Sequence, residues 1–229
     1  MSAASKIIIQ MNQKVGGITW EVDRNEYFAK KKCMYGAFSI SKGKRGYTLA
    51  FVGTLNSENT KVFSTCKIGY KRKEDIPKAD FDAIFLTWAK NYVMENKEGP
   101  SIIIIFREGL SLPQIEVQLK PEIDALTSVI KKIGEKTKKV NYNPEIMYLT
   151  VNKKINTRFF ETGDQRGSQG KFPPKIYNPS SGTCIFDEIS IDKLFDFHLS
   201  AQRVTQGTCT PTHYIVVYNK SKIPQESLA

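Results

Sequence analysis

The side chains best placed to do chemistry in this chain are cations. Lys and Arg total 34 against 23 Asp and Glu, giving a net charge of +11 and a pI near 9.4. A folded domain of that balance suits a polyanion, because neutralising phosphate is the most direct use of clustered Lys and Arg; the same excess also serves solubility alone. The densest run is Lys131, Lys132, Lys136, Lys138 and Lys139, with only Glu135 against it. It reads as a solvent-facing helix end, where contact with nucleic acid would be non-specific. Cys33, Cys66, Cys184 and Cys209 are widely spaced with no C-x-x-C pair. That argues against a structural zinc site or a disulfide framework and suits a reducing compartment. The start, Met-Ser-Ala-Ala-Ser-Lys, has no long apolar core of the kind a signal peptide or membrane anchor needs. The expected setting is cytoplasmic or nuclear, without a membrane.

The elements that must position these groups follow an α/β order. With 229 residues and 40% hydrophobic content, the chain can bury a sizeable core as one domain. Ile7-Ile8-Ile9 and Trp20-Glu21-Val22 are short apolar runs split by the turn-prone Gly16-Gly17. Three strand-like segments follow over about 33–40, 47–55 and 61–69. Their short polar separators, Lys42-Gly43-Lys44-Arg45-Gly46 and Asn56-Ser57-Glu58-Asn59, suit hairpins. Phe81, Ile84, Phe85, Trp88, Tyr92 and Val93 repeat at helical spacing. Ser101 to Phe106 holds four consecutive isoleucines, the pattern of a strand covered on both faces. A second helix is expected over about 117–133 and another buried strand over about 146–152. Residues 161–182, rich in Gly and Pro, read as a long loop. Hairpin-linked strands, helix, buried strand, then more helix and strand is the order of a ribonuclease H-like mixed sheet flanked by helices.

Several short motifs, in the right order, resemble the PIWI domain of the Argonaute/Piwi family from about Lys6 to Asn219. They are Cys33-Met34-Tyr35-Gly36-Ala37-Phe38-Ser39, Phe106-Arg107-Glu108-Gly109, Asn152-Lys153-Lys154-Ile155-Asn156-Thr157-Arg158-Phe159-Phe160 and Gly207-Thr208-Cys209-Thr210-Pro211-Thr212-His213-Tyr214. Gln10 to Gly17 matches the passage from the family's MID domain into its PIWI domain, so residues 1–17 are expected to be the tail of that junction. Gln10 stands where the Argonaute branch tends to have lysine, which favours the Piwi branch. The resemblance implies a single PIWI-like domain over 1–229, beginning at the junction and stopping before the family's C-terminal helices.

The resemblance also implies a metal centre. Two-metal phosphodiester cleavage needs carboxylates that bridge two Mg²⁺ ions about 4 Å apart. Mg²⁺ takes hard oxygen ligands at roughly 2.1 Å, so a ligand is not replaced casually. The family's four positions fall on Phe38, Glu74, Glu108 and His213. Phe38 has no lone pair, and a shift of one residue gives Ala37 or Ser39, which are no better. Glu108 keeps the charge with one more methylene than the usual aspartate. Glu74 sits among Lys71, Arg72, Lys73 and Asp75, which also suits a solvated charge run. A lone histidine beside a strand is by itself a structural residue; its Pro-Thr-His-Tyr context gives His213 the family position. Mg²⁺ is the implied cofactor if the site is active, held by Glu108 and His213 if by any residues, but the reading is against cleavage.

Binding does not need those carboxylates. By resemblance, Lys14 is a ligand of the guide's 5′ phosphate with Gln10 beside it, and Lys153, Lys154 and Arg158 lie at the phosphates of the guide's seed region. Arg158 can make a bidentate phosphate contact, whereas the lysines act as point charges and equally suit a solvated loop. Three functions stay open at this point. One is a module that binds guide RNA and complementary RNA in small-RNA silencing without cutting. The second is a divergent metal-dependent endoribonuclease. The third is a protein-interaction module that serves silencing-pathway proteins.

Overall fold

A computed structural model describes residues 2–24, 26–44, 46–69, 76–137, 141–162, 176–186 and 194–223. Among these residues the chain runs α1 (Ala3–Lys14), α2 (Glu26–Ala29), β1 (Cys33–Gly43), β2 (Gly46–Thr54), β3 (Val62–Gly69), α3 (Lys78–Asn96), β4 (Ile102–Glu108), α4 (Leu112–Thr137) and β5 (Glu145–Asn152). It continues through the short β6 (Glu161–Thr162) and β7 (Ile176–Tyr177), then β8 (Thr183–Phe186), β9 (Phe195–Ser200) and β10 (Thr212–Lys220). The main sheet has the order β3-β2-β1-β4-β5-β10-β9-β8. Its centre, β1-β4-β5, is parallel, and both wings are antiparallel.

Local sequence explains most of this. The β4 isoleucines are buried on both faces of the sheet, Ile103 and Ile105 on one and Ile102 and Ile104 on the other. Helix α3 turns the six residues Phe81, Ile84, Phe85, Trp88, Ala89 and Tyr92 inward. Trp88 packs against the sheet, where its Nε1 donates to the Thr54 carbonyl at 2.9 Å. Glycine beneath it makes that approach possible: a Cβ at Gly53 would come within 2.3 Å of the indole nitrogen. Helix α4 is longer than the predicted 117–133 and contains Pro121. Its buried Ile115, Leu119, Leu126, Val129 and Ile133 join the same core as α3. That packing carries the helix through a residue which removes a backbone donor.

The N-terminal apolar runs behave differently. Ile7-Ile8-Ile9 lies within α1, whose start is capped by Ser2 accepting from the Ser5 amide at 3.2 Å, and α1 buries no residue. Trp20 and Val22 are exposed and lie outside regular structure. Of the predicted loop 161–182, the described ends pair as β6 and β7, while 163–175 lie outside the described residues. No helix among the described residues is long and apolar enough to cross a membrane.

Candidate nucleic-acid interface and nuclease centre

The register of the sheet decides which side chains can meet. One row runs across five strands: Phe38 pairs with Arg107, Arg107 with Thr150, Thr150 with Ile215, and Ile215 with Asp196. Phe38 and Ile215 belong to the core beneath α3 and α4, so this row faces the helices. The next row, Glu108, Val151, Tyr214 and Phe197, projects to the opposite face, since side chains alternate along a strand. His213 pairs with Asn152 and His198, one step further on, and therefore faces the helices again.

The sequence reading placed Phe38, Glu108 and His213 around one metal centre. The structure brings Phe38 and Glu108 to the wall of one cleft, from opposite sides of the strand alternation, and leaves His213 out of its lining. Phe38 is 4% exposed and packs edge-on against Phe81, Phe85 and Tyr148 at centroid distances of 5.7–6.2 Å. The Arg107 guanidinium covers the ring from 5.0 Å. Arg107 in turn meets Glu122 of α4, Nε to Oε1 at 3.3 Å, and the Tyr148 hydroxyl donates to the same carboxylate. Burial pushes the Glu122 carboxyl above its usual range, with the guanidinium and the tyrosine hydroxyl opposing that shift. At the position that the resemblance gives to the first metal ligand there is an aromatic and ionic cluster.

Glu108 ends β4 just before Gly109, whose φ of +41° is readily adopted by glycine alone. The Ser39 hydroxyl donates to the Glu108 carboxylate, so the residue in register with Glu108 on its own face is Ser39 and not Phe38. Both line a cleft of about 650 Å³ with Phe38, Val52, Phe106, Lys153 and Lys154. These lysines and Arg158 are exposed in the segment that follows β5. Arg158 Nη1 donates to the carbonyls of Ile155 and Thr157 at 2.8 and 2.7 Å. Both bonds use one nitrogen, which leaves the Nε–Nη2 edge for a two-point phosphate contact.

The other expected nucleic-acid ligands lie elsewhere. Gln10 and Lys14 are exposed, one turn apart on α1. Lys14 lines a separate cavity of about 1020 Å³ with Trp20, Arg24, Tyr35 and Lys61. The structure does not place the predicted 5′-phosphate pair and the predicted seed contacts in one cleft. Glu74 lies outside the described residues.

His213 has partners that sequence reasoning missed. Its Nε2 lies 2.6 Å from Asp196 Oδ2, and its ring stacks on His198 at 4.2 Å with 2° between planes. Asp196 and His198 are buried, and Phe159 stands edge-on to His198 at 5.3 Å. Burial holds the His198 imidazole below its usual pKa, His213 adds to this, and Asp196 opposes it. An available signal was the alternation Asp196-Phe197-His198, which puts both polar groups on one face of a strand.

A ribonuclease H-like sheet with these motifs at its strand ends defines the class, and the comparisons define the family. The Piwi domain family model matches residues 1–229, and the chain belongs to that family. It is 30% identical over 226 residues to Piwi-like protein 1 of Gallus gallus, covering 97% of this chain and 24% of that protein. It is 31% identical over 216 residues to Protein argonaute-3 of Drosophila melanogaster, covering 94% and 22%. The crystal structure of Drosophila Piwi superposes with a TM-score of 0.75 at 26% identity, over 98% of this chain and 28% of that one. The chain thus spans about a quarter of the length of the relatives it matches.

Proposed function

We propose that this chain is a guide-RNA-binding module of small-RNA silencing that holds a guide, and a guide paired to its target, without cutting. The observation that carries the reading is the separation of the would-be metal ligands. Phe38 fills the first position from inside the core, and Glu108 and His213 leave the sheet on opposite faces. A Mg²⁺ pair needs converging oxygen ligands, and these residues do not fit it.

The cationic surface is independent of that loss. Lys153 and Lys154 line the open cleft and Arg158 follows them. Contacts of this kind grip the sugar-phosphate backbone, while base pairing reads the sequence and the protein senses A-form shape. A 5′-phosphorylated RNA titrated across a salt series tests this directly. Affinity should fall steeply with salt. Lys153→Ala with Lys154→Ala should flatten the log–log slope by roughly 1.4, at about 0.7 per single-strand phosphate contact. Salt-independent binding, or none, would favour the protein-interaction reading instead.

A further inference from the structure

We propose, resting on the guide-binding reading, that Ser39 and Glu108 form a ribose-reading pair. The pair accepts a hydrogen bond from a 2′-hydroxyl and so tells an RNA strand from a DNA strand. The Ser39 hydroxyl donates to Glu108 Oε2. Among the described residues none donates to Glu108 Oε1. A carboxylate only accepts hydrogen bonds, and a hydroxyl that has given away its one proton can only accept as well. The pair therefore presents acceptors alone to the cleft, and whatever binds there must bring the proton.

The surroundings select the donor. The same cleft combines Lys153 and Lys154 with the apolar Ala37, Val52 and Phe106. The lysines attract phosphates, whereas a carboxylate repels them. A strand gripped by these lysines must turn a neutral part of its backbone toward Glu108. Along a nucleic-acid backbone only the ribose 2′-hydroxyl is both neutral and a donor, and DNA lacks it. In a guide paired to its target the base amino groups are largely engaged in pairing. The wide, shallow minor groove of the A-form duplex keeps its 2′-hydroxyls on display. The apolar residues suit the C–H surface of the sugar beside that hydroxyl.

The scaffold suits the purpose. Ser39 lies on β1 and Glu108 ends β4, neighbouring parallel strands held in register at Phe38 and Arg107. Groups carried by strands are placed more precisely than groups carried by loops. Gly109, next in the chain, also lines the cleft. A Cβ there would meet only Asn152 Oδ1, at 3.7 Å, so the space beside Glu108 is open to a sugar. Glu108 gains a role that needs neither a metal nor a second carboxylate.

The full chain is titrated with one 5′-phosphorylated sequence made as RNA and as 2′-fluoro RNA, which keeps the A-form sugar pucker but lacks the donor. RNA should bind at least about tenfold more tightly, the smallest ratio expected from one hydrogen bond to a charged acceptor. Glu108→Ala should bring the two affinities within about twofold of each other. It should bind the 2′-fluoro strand no more weakly than the parent chain does, because for that strand only a repelling charge is lost. Ser39→Ala should lower the ratio as well, whereas Lys154→Ala should weaken both strands alike and keep it. Circular dichroism checks folding, and Glu108→Met, similar in length and without an oxygen, replaces Glu108→Ala if that variant is unfolded. Equal affinity of the parent chain for the two strands overturns the proposal. So does a preference that the folded Glu108 and Ser39 variants both leave intact. Either result leaves salt-sensitive guide binding standing, whereas absent or salt-independent binding of both strands overturns the guide-binding reading and the role of this pair with it.

Discussion

Phe38→Asp is expected to lower the unfolding free energy by more than about 3 kcal/mol, the lower end for truncating a buried phenylalanine, and to leave a target RNA uncut. The ring is 4% exposed and touches Phe81, Phe85 and Tyr148. Aspartate would lose those contacts and place a carboxylate in the space. Arg107 lies close enough to answer that charge, but it is already paired with Glu122. Nor would the new carboxylate meet Glu108, which leaves the sheet on the other face with Ser39. Denaturant titration and a cleavage gel on the same preparation give both readouts. Phe38→Leu, which keeps an apolar filling, should cost less than half as much. A stable Phe38→Asp variant that cuts would mean that Phe38 was the only obstacle to catalysis.

Arg107→Ala should be at least as damaging. Breaking a buried ion pair by removing one partner costs about 3–5 kcal/mol, because the other charge stays buried. Glu122 would be that charge, held within the core by α4. Its carboxyl is raised by burial, so the folded protein binds this proton more tightly than the unfolded chain does. Linkage then fixes the sign. The group's contribution to stability is full below the ordinary carboxyl range and falls as pH rises through it toward the raised value. Arg107→Ala removes the opposing cation and should steepen the fall, whereas Glu122→Gln should abolish it. Unfolding curves from mildly acidic to neutral pH would check both; a slope that Glu122→Gln leaves unchanged would contradict the assignment.

The parallel centre of the sheet and α3 were legible because burial dictates sequence there. Four isoleucines in a row suit only a strand covered on both faces, and the apolar spacing from Phe81 to Tyr92 suits only a helix on one. The first turn of α4 was harder to read: the expected helix already ran through Pro121, and the turn before it, from Leu112, is secured by the burial of Ile115 in the core. Family motifs located Phe38, Glu108 and His213 in the chain, yet not on which face each side chain leaves the sheet. That depends on strand register, and a slip of one residue exchanges the faces. The partnership of His213 with Asp196 and His198 was hidden for a related reason. It exists only once β9 and β10 are aligned, and no local pattern announces that alignment.

The most direct test of the account is to load the chain with a 5′-phosphorylated guide RNA, add a complementary target in Mg²⁺, and follow binding and target length together. The predicted result is salt-sensitive binding with the target intact, weakened by Lys153→Ala and Arg158→Ala. A discrete metal-dependent cut that Glu108→Ala abolishes would contradict it, because it would require the separated ligands to assemble.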